Sequence, residues 1–205
     1  MAEAPAVPTR TERKKERTRK QLLEVALALF FEKGIYWTKI EDITERADVG
    51  KGTFYQYFET KEALLQELLQ QGLDDLLELT RAAVATAGTD AKALISGVVK
   101  ARLTFFYDHP EYLLLFHQVR GLLQLKTESA KGLREVYEHH LDQLAKVLRP
   151  TMNGKGGSAR TLATAVAAFT SGLLTYHLLF DGPGDSKRRR QEIQDQIERS
   201  IQAVL

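Results

Sequence analysis

Apolar residues along this 205-residue chain recur at intervals of three and four, and almost nowhere alternate with polar ones. That period belongs to helices with one face on a core; the period of two that half-buried strands require is missing. The first predicted helix, 12–33, gathers Leu22, Leu23, Ala26, Leu27, Leu29 and Phe30 on one face and stops at Gly34. Two short helices follow, with Ile40, Ile43 and Ala47 as the buried stripe of one and Phe54 and Phe58 as that of the other. A tight turn at Ala47, Asp48 and Val49 joins them. Thr38 with Glu41 three residues on reads as a capping box for the first of the pair. Thr60 caps a long fourth helix running toward Ala85, which Gly88, Thr89 and Asp90 break before a fifth helix over 91–107.

Pro110 suits the first position of a new helix, where its missing N–H would have no partner. The sixth helix, 110–124, carries Tyr112, Leu113, Leu114, Leu115, Phe116, Val119, Leu122 and Leu123, and is expected to be buried nearly all round. A seventh spans 128–148 and ends at Pro150 and a glycine-rich loop over 152–157. The eighth runs from Ser158 to Phe180. After a turn at 181–185, Ser186 caps a ninth helix with Ile193, Ile197, Ile201 and Val204 in line. The expected fold is all-α with about nine helices. An arm over 1–11 precedes a helix-turn-helix domain over 12–61, and a helical bundle over 62–205 follows, with the fourth helix continuing from 60 into the bundle.

Composition narrows the function. There is no cysteine, hence no disulfide framework and no thiol chemistry. No run of about 18 apolar residues exists to cross a membrane, and the N-terminal stretch lacks the apolar core of a signal peptide; a cytoplasmic location fits. The net charge of +2 is uninformative, but its distribution is not: 10–23 holds seven basic residues against two acidic ones. A basic segment beside a helix-turn-helix is an electrostatic footprint for phosphates, although alone it reads equally as a solvated helix start. The second short helix opens at Gly50, Lys51 and Gly52 and presents Thr53, Tyr55, Gln56 and Tyr57, side chains that suit a major-groove reader.

The residues Thr38, Ile43, Thr44, Ala47, Asp48, Val49, Gly50, Gly52, Tyr55, Phe58, Lys61 and Leu64 resemble the DNA-binding motif of TetR-family transcriptional repressors. Three depart from it: Thr44 stands where alanine is usual, Asp48 where glycine is and Gly50 where serine is. Asp tolerates the left-handed turn better than most residues, and Gly at a helix start costs little against Ser. The resemblance implies backbone contacts from Thr38, Lys39, Gly50, Lys51, Gly52 and Lys61, and base or groove contacts from Thr53, Gln56 and Tyr57. Tyr55 reads equally as a phosphate contact or a core residue. It further implies a homodimer on an operator in double-stranded DNA, released by a small hydrophobic effector such as a drug-like aromatic or an acyl group.

For the effector pocket the apolar walls are Phe105, Leu113, Phe116, Val136, Tyr137, Phe169 and Leu173, with His117, His140, Tyr176 and His177 as polar anchors. For the dimer interface they are the small-residue track Ala165, Ala168 and Gly172 together with Ile193, Ile197 and Ile201. An alternative is an effector-independent architectural or interaction protein on the same scaffold. No cofactor and no metal site are expected. Phosphate loops, zinc-protease and nucleophile-elbow motifs are missing, and Glu135 with His139 and His140 reads better as a helix-surface pair than as ligands.

Overall fold

In a computed structural model the described residues are 9–125, 127–152, 158–180 and 187–204. Among them are nine α-helices and no strand: α1 (Arg10–Lys33), α2 (Ile40–Arg46), α3 (Lys51–Tyr55), α4 (Lys61–Val84), α5 (Ala91–Asp108), α6 (Pro110–Leu122), α7 (Glu128–Leu148), α8 (Ala159–Phe180) and α9 (Lys187–Val204). A short 3-10 turn, Arg149–Met152, follows α7. The turn expected at 181–185, the Ser186 cap and most of the glycine-rich loop lie outside the described residues, as do 1–8 of the predicted arm. The chain divides into two compact units, Met1–Leu65 and Gln66–Leu205, and α4 runs through the division.

The first unit is built on α1. Thr9 caps it, accepting from the Glu12 N–H, while the Glu12 carboxylate takes the Thr9 N–H at 2.6 Å. That reciprocal cap starts the helix at Arg10, inside the segment expected to be an arm. Leu22, Leu23, Ala26, Leu29 and Phe30 are buried as expected, and Gly34 at φ 86° ends the helix, its N–H returning to the Phe30 carbonyl. Ile43 and Phe54 are fully buried and Phe58 nearly so, which closes a core under all three helices. Asp48 takes φ 51°, the left-handed turn expected of it. Gln21 Nε2 donates to the Ala47 carbonyl at 2.9 Å, satisfying a helix-end acceptor of α2 from α1.

One cap differs from expectation. Thr38 does not cap α2. Its hydroxyl points into the core and donates to the Gly34 carbonyl at 2.8 Å, because the chain after Gly34 turns back on itself. The N-cap is Lys39, whose N–H is taken by the Asp42 carboxylate at 2.7 Å. Only the return half of a box forms there, since a lysine ammonium cannot accept a backbone N–H, and Glu41 is left to pair with Lys51.

The second unit is a bundle in which α8 packs on α5, α6, α7 and α9. Asp90 caps α5, Thr127 caps α7, and Pro110 opens α6. Gly72 of α4 seats the Tyr112 ring of α6: a Cβ there would lie 2.3 Å from Tyr112 Cε1. Two expectations fail. Helix α6 buries Tyr112, Leu113, Leu115, Phe116 and Val119, but His117 and Gly121 stand on an exposed line, so it is amphipathic rather than buried all round. The α9 stripe is used within the subunit: Ile193 and Ile197 are 3% and 0% exposed where α9 packs on α5 and α8, so neither can face a second chain. Ile201 is described by its backbone alone.

Candidate nucleic-acid interface

Helix α3 is five residues long, and its outer surface is the most distinctive part of the first unit. Lys51, Gly52, Tyr55 and Gln56 are exposed, while Thr53 and Tyr57 are half-buried. Phe54 beneath them meets Tyr55 edge-on at 5.5 Å and Phe58 at 5.7 Å, so a rigid aromatic floor fixes the direction of the outward side chains. Gly50 is the N-cap in extended conformation, without a side-chain hydrogen bond. Among the described residues, nothing outside the helix's own backbone and the adjacent residues lies within 4 Å of a Cβ built on Gly52. Internal packing therefore does not require a glycine there, and its bareness keeps clear the space outside the helix.

The basic half of α1 lies alongside. Lys15 and Arg19, with Glu12 and Glu16, share a cleft of about 500 Å³ with Gln56 and Tyr57 at the end of α3. The Arg19 guanidinium sits 5.0 Å from the Phe58 ring centre. Cationic side chains thus flank the reading surface, as phosphate recognition requires. Lys51 donates to Glu41 at 2.5 Å; that pairing holds the Glu41 carboxyl below its ordinary range and the Lys51 ammonium above its own. Both side chains are more than half exposed, so the pair is easily exchanged for a phosphate.

Lys61 is engaged differently from a free surface cation. Its Nζ donates to the carbonyls of Ile35 and Thr38, each at 2.8 Å, and burial pulls its pKa down. It clasps the α1–α2 connection from the start of α4. Thr38 is fully buried, so its hydroxyl is not presented to a ligand, whereas Lys39 is exposed. Tyr36 and Trp37, 83% and 71% exposed, were missed by the periodicity reading because they lie between helices. Their rings meet edge-on at 5.0 Å. Two adjacent aromatics before a helix start were the available signal.

The match with known proteins falls on this same geometry. Residues 22–68 fit the model of bacterial regulatory proteins, tetR family. Over those residues the chain is a tetR-family DNA-binding domain. Its curated relatives are transcriptional regulators. The HTH-type transcriptional repressor KstR2 of Rhodococcus jostii is 30% identical over 120 residues, which cover 54% of this chain; the match spans 58% of that repressor's length. The HTH-type transcriptional regulator BetI of Burkholderia thailandensis is 26% identical over 192 residues, 90% of this chain and 93% of its own. Among solved structures, FadR from Bacillus subtilis in complex with stearoyl-CoA superposes with a TM-score of 0.72 at 18% identity, over 87% of this chain and 96% of the other; that likeness concerns the fold.

In the second unit the residues expected to form a pocket differ in burial. Phe105, Leu113, Phe116, Val136 and His140 are buried in the second unit, and Tyr137, Phe169, Leu173 and His177 are intermediate. His117 and Tyr176 face outward, Tyr176 at 55% exposure, and so do not serve as interior anchors. Both lie at positions where the three-to-four spacing rotates past the core. On α8, Ala165 is intermediate and Ala168 and Gly172 are exposed. Among the described residues no cluster of three potential metal ligands occurs, and no helix is long and apolar enough to cross a membrane.

Proposed function

We propose that this regulator is a repressor that binds a near-palindromic operator as a homodimer and leaves it when a small hydrophobic molecule enters the second unit. Backbone contacts are assigned to Lys39, Gly50, Lys51 and Gly52, with Tyr55 beside them, and base reading to Thr53, Gln56 and Tyr57. A five-residue reading helix offers few base contacts, and two-fold pairing doubles them.

The observation that carries the dimer is the outer line of α8. A helix central to the bundle leaves Ala168, Gly172 and Tyr176 uncovered, and a Cβ on Gly172 would meet nothing within 4 Å. Small residues on an exposed helix line allow a second copy's helix to approach closely, and a two-fold axis presents the same line twice. For the effector, support comes from the aromatic interior, where Phe105, Phe106, Tyr112 and Phe116 form one continuous ring contact. The similarly folded FadR is described in complex with stearoyl-CoA, and an acyl chain suits such walls. Release then requires the ligand to prefer one of two states; about 5.5 kcal/mol of preference carries a population from 1:99 to 99:1.

The test begins with operator selection from random duplexes, followed by sedimentation and anisotropy titration. The expected selected sequence is an inverted repeat whose half-sites lie one helical turn, about 34–36 Å, or a multiple apart. A monomer at micromolar concentration, or a selected site without two-fold symmetry, overturns the dimer. If no apolar ligand from a broad panel weakens operator binding, the chain is instead an effector-independent DNA-binding protein.

A further inference from the structure

Arg102 is the one Lys, Arg, Asp or Glu buried outright among the described residues, at 4% exposure, and it has no acid beside it. Its Nε donates to Thr170 Oγ1 at 2.7 Å, and its guanidinium lies 5.6 Å from the Phe106 ring centre. One turn-neighbour further along α8, Ser171 Oγ accepts from Nη2 of Arg120 at 2.7 Å, and Tyr137 accepts from the same nitrogen at 3.3 Å. Two arginines, one from α5 and one from α6, thus converge on adjacent hydroxyls of α8. Those hydroxyls are themselves committed, Thr170 donating to the Val166 carbonyl and Ser171 to the Ala167 carbonyl. They can give each cation a lone pair but no negative charge.

Among the described residues, most N–H donors of both forks have no protein partner. A guanidinium carries five N–H donors in a planar fork. In protein contacts Arg102 uses one and Arg120 two, and among the described residues no carboxylate lies within ion-pair distance of either. Burial lowers the Arg102 pKa to about 10; the nearby Tyr137 hydroxyl opposes that shift, and the like-charged Arg120 adds to it. His140 completes the surroundings. It is 5% exposed, neither ring nitrogen meets a partner at hydrogen-bond geometry, and burial followed by the Arg102 charge pushes it down to about 3, against a small upward pull from the Leu73 carbonyl. A neutral imidazole adds no countercharge. Buried cations are ordinarily paired, and this chain has 27 acidic residues from which a partner could have been drawn.

We propose that Arg102 and Arg120 form the seat for an oxyanion, so that the effector is an anionic amphiphile whose headgroup lies between the two guanidinium groups and whose apolar part runs along the Phe106–Phe116 rings. This rests on the effector-responsive reading above and narrows it, since an uncharged hydrophobic molecule would leave both arginines without a counterion. The fork of N–H donors fits a carboxylate or a phosphate equally.

The test uses full-length protein and twelve-carbon ligands below their micellar concentrations: dodecanoate, dodecyl sulfonate, dodecanoyl-CoA, dodecanol and dodecyltrimethylammonium. Calorimetric titration should show the anionic ligands binding at least tenfold more tightly than the alcohol, and the ammonium compound weakest. Whether the free acid or the thioester is the tighter identifies which source supplies the anion. Arg120→Gln and Arg102→Met should each abolish that preference while dodecanol binding persists. The head-group series on the unaltered protein stands even if a variant fails to fold. Equal binding of alcohol and carboxylate, or full carboxylate affinity in both folded variants, overturns the seat. Operator anisotropy is read separately. Arginine-dependent anion binding that leaves the operator complex intact keeps the seat and removes the release mechanism, whereas release by dodecanol as readily as by dodecanoate does the reverse.

Discussion

Replacing Lys61 with methionine separates two roles that a helix-start lysine in a DNA-binding unit can play. The methionine keeps the apolar stem and removes the ammonium that donates to the Ile35 and Thr38 carbonyls at 2.8 Å each. Hydrogen bonds from charged donors contribute about 1.5–3 kcal/mol apiece. Lys61 is only part-buried, so water replaces much of the loss, and about 2 kcal/mol in total is the expected destabilisation. For a chain of this length that lowers the melting midpoint by about 4–8 °C. The Ile35–Thr38 connection leads into α2, so operator affinity falls as well. The dependence of log affinity on log salt should nevertheless keep its slope, since no phosphate contact is lost. The assay is anisotropy at five salt concentrations, with calorimetric melting alongside. An unchanged midpoint together with a slope shallower by about 0.9 per lost contact would refute the clasp and return Lys61 to the DNA backbone.

Gly52→Ala should raise stability by up to about 1 kcal/mol, since alanine is the better helix former and the added Cβ meets nothing, yet weaken operator binding at all sequences; unimpaired binding would show that the space outside Gly52 is unused. Ala168→Arg should give a folded monomer by sedimentation with operator affinity lost, and a persistent dimer would place the interface elsewhere. His140 has its folded pKa depressed to about 3 from 6.5, so below pH 6.5 the unfolded chain binds a proton that the folded chain refuses. Its contribution is fully present above pH 6.5 and erodes at up to roughly 1.4 kcal/mol per pH unit as the pH falls toward 3. His140→Gln should flatten the stability profile over that window relative to the unaltered chain, and parallel profiles would count against a neutral buried imidazole.

The helices were legible because their apolar positions repeat with the helical period and their ends carry local chemistry: Gly34, Asp48 and Pro110 act through their own backbone preference, and Asp90 through its capping carboxylate. What failed depended on the third dimension. Thr38 is the plausible cap in one dimension, but the return of the chain to the Gly34 carbonyl takes its hydroxyl and moves the helix start to Lys39. The α9 isoleucines form a stripe whichever surface they meet, and periodicity cannot say whether that surface belongs to the same chain. His117 and Arg102 are harder still. Each is a polar residue on an apolar helix, yet one faces out and the other is sealed in. Which side of each helix is turned toward α8 separates the two outcomes.

The seat that Gly72 provides for Tyr112 has a consequence for how this sequence can change over generations. A methyl at 72 would collide with the ring at 2.3 Å, although alanine there would otherwise favour the helix. A side chain at 72 is tolerated only once the ring at 112 has shrunk, so the two positions are inherited as a pair. Among close relatives aligned over both helices, a side chain at position 72 should co-occur with a smaller residue at position 112. The pairing of a bulky 72 with an aromatic 112 should be missing, a statistical dependence between two columns that share no chemistry except the space between them.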